Sequence, residues 1–433
     1  MNNHKKRCLI ISLSSFVTLA TALSIVLTYF FVWGKSVLEK HLFAEPEAPL
    51  NLSHQNQSQE YINAIRDFST LLNKEVEKQA GNENYVFSPV SVANSFFMLY
   101  ETSKGEIKQR VADLFHIDDE SYNHINETVK MIENNHQDIV DTKGKGHTVS
   151  SVSQAMIIDE SIKDQFSDVY KDNLSKYYSD IYHMDLNNND DVNNLQKAYF
   201  DKKTNNLFSA DYEIENKINN PGNAILLSNF FYSAEWLNTR FFEVLKPLPF
   251  NNYDGSVNKN VCYIHGELPN LATLVVRESV DYMLCYIPLF NGYHFNILLP
   301  KEGTNYIKVF DDNFINLLTK ECEIEYEANV DYTLPIFSTN NFYAFDQLID
   351  NSNAKYEATK QDDGICPRTI NHFSGIGITN GGICKEKVVE EKHEDTLLAN
   401  NLPYIHFNVC RPFLYSLTNQ DGLPLLTGRV LKL

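Results

Sequence analysis

The chain has 433 residues and carries 37 Lys and Arg against 56 Asp and Glu, a net charge of −19, with 43% apolar and 21% charged side chains. That apolar content excludes general disorder, and 17 Gly and 14 Pro without a period exclude collagen-like and mucin-like chains. The acidic balance argues against nucleic acid as a main partner, because a phosphate backbone needs a clustered basic surface and the longest basic run is Lys5-Lys6-Arg7.

That run directly precedes Leu9 to Trp33, 25 residues without a charged side chain. As a helix this stretch would be ~37 Å long, more than the ~30 Å hydrocarbon core of a bilayer. The reading is a transmembrane signal-anchor over 9–33, with the basic flank 1–8 cytosolic and the remainder lumenal or extracellular. A cleaved signal peptide is the alternative, since Ala20-Thr21-Ala22 resembles a small-residue cleavage site, and it would make the protein secreted. Sequons at Asn51, Asn56, Asn126 and Asn173 are candidate glycosylation sites in that compartment. Beyond Cys8, six cysteines (262, 285, 322, 366, 384, 410) could pair in 15 ways, and no spacing among them fits a metal site.

Residues 34–60, with Pro46, Pro49 and a Gln/Asn/Ser run, read as a polar linker to a single domain over 61–433. Ile62, Ile65, Phe68, Leu72 and Val76 recur at helical spacing and predict an amphipathic helix ending near Gly81. A second helix is expected after Pro89, carrying Val92, Phe96, Phe97 and Tyr100. Asn187 to Asn194 is taken as an exposed loop. Strands are expected at Ala224–Phe231, Tyr282–Ile287, Tyr293–Pro300, Phe407–Leu417 and Leu425–Leu431, the last two flanking the turn Asn419-Gln420-Asp421-Gly422. Helices first and strands later in one unit give an α+β class.

Motifs in a fixed order then carry a resemblance to the serpin family. Asn84-Tyr-Val-Phe-Ser-Pro-Val-Ser91 is similar to the family's Asn-x-x-Phe-Ser-Pro-x-Ser, and Ser153 to Asp159 to its Asn-Ala-x-x-x-Asp strand. Asp201-Lys-Lys-Thr-Asn205, Ala224 to Trp236, Ile287-Pro288 to Pro300, Leu334-Pro-x-Phe337 and Phe373-Ser-Gly375 follow in place. Phe407-Asn-Val-Cys-Arg-Pro-Phe-Leu-Tyr415 through Gly428-Arg-Val430 resembles the closing hairpin. The resemblance implies helices around three β-sheets and an exposed reactive loop near the C-terminus. In inhibitory members a protease cuts that loop, which inserts into the largest sheet and traps the enzyme.

Against that pattern, the best match to the family's small-residue hinge is Glu394 to Asn401, where the glycine and most alanines are missing. Only 11 steps then separate Thr396 from Phe407, ~36 Å when extended, too short to insert and also present a scissile bond. Lys392, Thr396, Leu397, Leu398, Ala399, Asn400, Asn401 and Leu402 make up the candidate reactive-loop region. Ser88 and Ser91 match the family's buried serines below the largest sheet, Ser228 stands where Asn is usual, Ala234 where Gly precedes Trp236, and the usual histidine would fall at Val389 or Cys384, where none stands. The expectation is therefore a non-inhibitory serpin of the secretory route with a binding or structural role; the alternative is a working suicide inhibitor of a serine or cysteine endopeptidase. An enzyme is not expected, because no G-x-S-x-G, H-E-x-x-H or phosphate-loop pattern occurs. No cofactor or metal is implied, and Lys202-Lys203 is too short a basic face for a glycosaminoglycan.

Overall fold

The computed structural model describes residues 36–44, 59–118, 122, 149–165, 174, 177, 179–208, 222–236, 240–267, 274–289, 292–319, 322–349, 365–387 and 401–433. The apolar run 9–33, all four sequons and reactive-loop residues Lys392 and 396–400 lie outside them; among the described residues no helix is long and apolar enough to cross a membrane.

In chain order the elements begin with α1 (Val37–His41), β1 (Leu42–Ala44), α2 (Gln59–Ala80), β2 (Tyr85–Phe87), α3 (Pro89–Thr102), α4 (Gly105–Phe115), β3 (Val149–Asp159), β4 (Asp180–Met184) and α5 (Asn189–Lys203). Then come β5 (Ala224–Glu235), β6 (Arg240–Glu243), β7 (Leu248–Asn251), β8 (Val257–Val261), β9 (Tyr263–Glu267), β10 (Leu274–Glu278), β11 (Tyr282–Pro288), β12 (His294–Pro300) and α6 (Tyr306–Thr319). The chain closes with β13 (Ile324–Pro335), β14 (Phe337–Ala344), β15 (Pro367–Thr379), β16 (Gly382–Ile383), β17 (Tyr404–Asn408), β18 (Phe413–Thr418) and β19 (Pro424–Val430).

These strands form a seven-stranded sheet in the order β1-β4-β3-β5-β16-β15-β14, a ten-stranded sheet, and the pair β7-β8. The expected α+β class and its three sheets are thus present among the described residues. The predicted first helix buries Ile62, Ile65, Phe68, Leu72 and Val76 along one face of α2. The second, α3, is buried nearly all round, so its Asn94 and Ser95 are as enclosed as Phe96 and Phe97. It starts where Ser88 Oγ accepts the Ser91 amide and Pro89 takes a position whose N–H would have no helical partner.

Two expectations along the chain are corrected. Asn187–Asn194 is the entrance of a helix: the Asn188 side chain caps α5, and Val192, Leu195, Gln196, Tyr199 and Phe200 recur on its buried face. Phe407–Leu417 is two strands, because Pro412 has no N–H to give a ladder and the chain turns there; β17 pairs in parallel with β13, and β18 with β12 and β19.

The stretch expected as a linker is ordered at 36–44. Ser36 and Glu39 form a reciprocal capping box that starts α1, and Leu38 is buried against α5. β1 adds to the edge of β4, and His41 Nδ1 lies 3.1 Å from the His183 carbonyl. The signal, a short apolar group (Val37, Leu38, Leu42, Phe43, Ala44) around a Ser-x-x-Glu box, is outweighed in composition by the prolines that follow. Leu38→Ala is expected to cost this strap ~2–3 kcal/mol, enough to undock so short an element. Hydrogen exchange over 180–184 should rise in that variant; unchanged exchange would mean that β1 is held without Leu38.

Helix α5 crosses the junction of β5 and β15. Its Phe200 ring packs 5.4 Å from Phe373 of β15 and 6.2 Å from Phe342 of β14. Gln196 Oε1 accepts from Asn371 at 2.6 Å, while Leu195 and Tyr199 pack with Ile157 of β3 and Leu227 of β5. The α1 strap therefore rests on the helix that covers the centre of the large sheet.

Candidate functional site

Strand β15 alternates. Ile370, Ile376 and Ile378 face the main core, as does His372 toward α3, while Phe373 faces α5. β15 pairs in parallel with β5, placing His372 opposite Ser228. His372 is fully buried and its ring meets three polar groups. Its Nε2 accepts the Ser88 amide at 3.0 Å and lies 2.7 Å from Ser374 Oγ, while Nδ1 lies 2.9 Å from Ser228 Oγ. Because Nε2 faces an N–H, it must be the unprotonated nitrogen, and Nδ1–H donates to Ser228. Ser88 Oγ donates to the Leu425 carbonyl at 2.6 Å, and Ser91 Oγ to the Asn229 carbonyl at 2.9 Å. Three sequence-predicted residues, Ser88, Ser91 and Ser228, are thus brought together around the β5/β15 seam.

The histidine sought at Val389 or Cys384 is His372. Counting forward from Phe373 puts the histidine at Val389 or Cys384, whereas Phe373 lies inside β15 and the histidine directly precedes it. A signal was present: Ile370-x-His372-x-Ser374-x-Ile376-x-Ile378 has the period of a strand.

Burial lowers the His372 pKa to about 3. The folded form stays neutral while an unfolded histidine gains a proton below ~6.5. Stability from this site is therefore complete above ~6.5 and falls by up to ~1.4 kcal/mol per pH unit down to ~3. Urea midpoints from pH 7 to 4 should fall more steeply for the parent than for His372→Gln; parallel curves would remove His372 from the acid response.

At the top of the seam the chain turns through Thr379 to Gly382 and re-enters the sheet. β16 pairs antiparallel with both β15 (Ile378↔Ile383) and β5 (Ala234↔Ile383), opening the way for a strand between them. Gly382 is at φ +144°, and a Cβ there would stand 2.0 Å from the Ala234 carbonyl oxygen, so the entry requires glycine. Trp236 Nε1–H donates to the Thr379 carbonyl at 2.9 Å, the Cys384 amide to Gly377 at 2.7 Å, and Ser233 Oγ to the Cys384 carbonyl at 3.1 Å. Cys384 then takes φ +49°, which turns the chain out of the sheet, and Lys387 Nζ pairs with Glu243 of β6 at 2.7 Å.

The loop length is corrected accordingly. The connection leaves β15 at Thr379 and joins β17 at Tyr404, 25 steps or ~85 Å extended, about twice the span counted from Thr396. Of the expected loop residues, Asn401 is exposed and Leu402 half-buried just before β17. All six cysteines of the domain are free thiols in the structure, and among the described residues no group of three His, Cys, Asp or Glu could hold a metal ion.

A sequence profile described as "Serpin (serine protease inhibitor)" matches residues 63–433. No curated protein matches significantly. Among solved structures, Serpin48 of the insect Tenebrio molitor is 17% identical at a TM-score of 0.65, over 88% of this chain and 100% of that one. Tengpin, a thermophilic serpin in its native state, is 18% identical at 0.64, over 89% and 97%. Human thyroxine-binding globulin is 15% identical at 0.68, over 86% and 98%. At such identities the likeness establishes the fold.

Proposed function

The chain belongs to the serpin family, and from that premise we propose that it is a non-inhibitory member, tethered to the membrane through 9–33 with its domain lumenal or extracellular, acting by binding a protein partner or in a structural role. One observation carries the reading: the register in which β16 enters the sheet. Continued past Ile383, an inserted strand would set Lys385 between Ile376 and Tyr232, Lys387 between Ser374 and Phe230, and Glu391 between Ile370 and Leu226, with His393 next to Ala224. Those neighbours are buried on the core side of the sheet. Lys385 and Lys387 would stand ~7 Å apart with like charge, and Glu391 would be ~13 Å from Lys387, beyond pairing distance.

The magnitudes favour exclusion of the strand. A new central strand of eight residues or so gains up to ~10 kcal/mol from its hydrogen-bond ladders. Burying three or four unpaired ions at several kcal/mol each costs ~10–20 kcal/mol.

The inhibitor reading keeps one observation in its favour: the 25-step connection is long enough to insert, and β16 has already entered. Incubation with trypsin-, chymotrypsin-, elastase- and cathepsin-type proteases separates the two. We expect cleavage within 388–400 without an adduct at the summed mass that survives boiling; such an adduct would establish inhibition and mark the cut site as the reactive bond.

A further inference from the structure

We infer that the edge of the large sheet formed by α1, β1 and β4 is the surface that faces the lipid bilayer; this rests on the membrane-anchor reading above. Ser36, the first residue of the docked strap, is three steps from Trp33, the last residue of the apolar run, so their Cα atoms are at most ~11 Å apart. With 9–33 in the hydrocarbon core, a flexible stalk is ruled out by this reach. The strap itself is fixed: the Ser36/Glu39 capping box, Leu38 buried against α5, and the pairings Leu42↔Tyr182 and Ala44↔Ile181 tie it to the sheet. Lys163 Nζ lies 5.9 Å over the Phe43 ring, and that ring packs 5.7 Å from His183.

The chain as a whole carries −19, yet here Lys163 pairs with Glu160 at 3.6 Å and Lys203 with Asp180 at 3.1 Å, with Lys40 beside Glu39. These pairs offset part of the charge, while Asp164 and Asp185 stand exposed beside them, so the reach of the strap and not its charge sets the orientation. A three-residue edge strand also leaves little unpaired backbone to be covered. The opposite edge, β14, lies five strand positions away at the level of β1, where β5 and β15 pair directly, ~24 Å across the sheet, and so points from the bilayer with the seam between the two.

The test uses the full chain reconstituted in phosphatidylcholine vesicles containing nitroxide-headgroup lipid. A fluorescent amino acid is placed at position 40, on the strap, at 164, on the same edge but outside the strap, or at 338 on β14. We expect quenching severalfold stronger at 40 and 164 than at 338, with the difference lost when a flexible 20-residue Gly/Ser spacer is inserted before Ser36. Equal quenching at the three positions in chains that float with the vesicles overturns the orientation and leaves the anchor standing. Chains that wash off the vesicles with carbonate overturn both. The position-164 donor keeps the test valid if substitution of Lys40 loosens the strap.

Discussion

Replacing Lys385, Lys387, Glu391 and His393 together by alanine is expected to turn cleavage of the 388–400 segment from an event without thermal consequence into one that raises Tm by ~10 °C or more. In the parent, the strand is held at Ile383. Beyond it Cys384 leaves the sheet at φ +49°, and Lys387 is paired with Glu243 outside it. Advancing the strand breaks that ion pair, which is exposed and worth ~1 kcal/mol or less, so the pair does not supply the barrier. The barrier is the desolvation of charge at alternate positions. Without it the ladder term of up to ~10 kcal/mol stands nearly alone, and the seam can part to admit the strand. Differential scanning calorimetry of cut and uncut protein reads this directly. A parent whose Tm already rises on cleavage, or a quadruple variant that gains nothing, would show that charge at these positions is not what keeps the strand out.

The contrast between what the sequence disclosed and what it concealed follows from the same alternation. Ile62, Ile65, Phe68, Leu72 and Val76 separate buried from exposed at a single period, so α2 was legible to within two residues at its start. The motif residues Ser88, Ser91 and Ser228 were legible because each sits in a local pattern with little freedom. His372 was not, since a buried histidine in a strand leaves no composition signal, and a motif shifted by several residues moved every position after it. The hinge suffered most from that shift. Asn380-Gly381-Gly382 does contain the glycine that φ +144° demands, but it lies 12 residues before the segment chosen from its acidic start at Glu394. With β15 running to Thr379 the connection is long enough to insert, and the stronger obstacle is the charge at alternate positions. The strap at 36–44 was hidden for a different reason: its five apolar side chains, split over a one-turn helix and a three-residue strand, set up no period, and only the partner surface of β4 and α5 gives them somewhere to go.

His372→Ala is expected to be the most destabilising single change at the seam, by ~3–6 kcal/mol. The substitution removes at once the acceptor for the Ser88 amide and for Ser374 Oγ and the donor to Ser228 Oγ, all in groups that are fully buried. Each buried polar group left without a partner costs ~1–3 kcal/mol, and the emptied ring volume adds to that. Ser228 recovers part of its loss through the Asn371 carbonyl 3.4 Å away, and Ser88 Oγ keeps its bond to Leu425, so the Ser88 amide bears most of the penalty. His372→Gln, which offers an acceptor on a similar reach, should return part of the loss. Ser228→Ala alone should cost less than His372→Ala, and the double variant less than the two together, because the second change removes a partner that is already lost. Urea unfolding of the four proteins at pH 7 gives the cycle. A loss below ~1 kcal/mol for His372→Ala, or strict additivity with Ser228→Ala, would mean that water enters the seam and satisfies these groups. The seam would then be looser than its hydrogen bonds imply, and exclusion of the loop strand would rest on the charge of Lys385, Lys387, Glu391 and His393 alone.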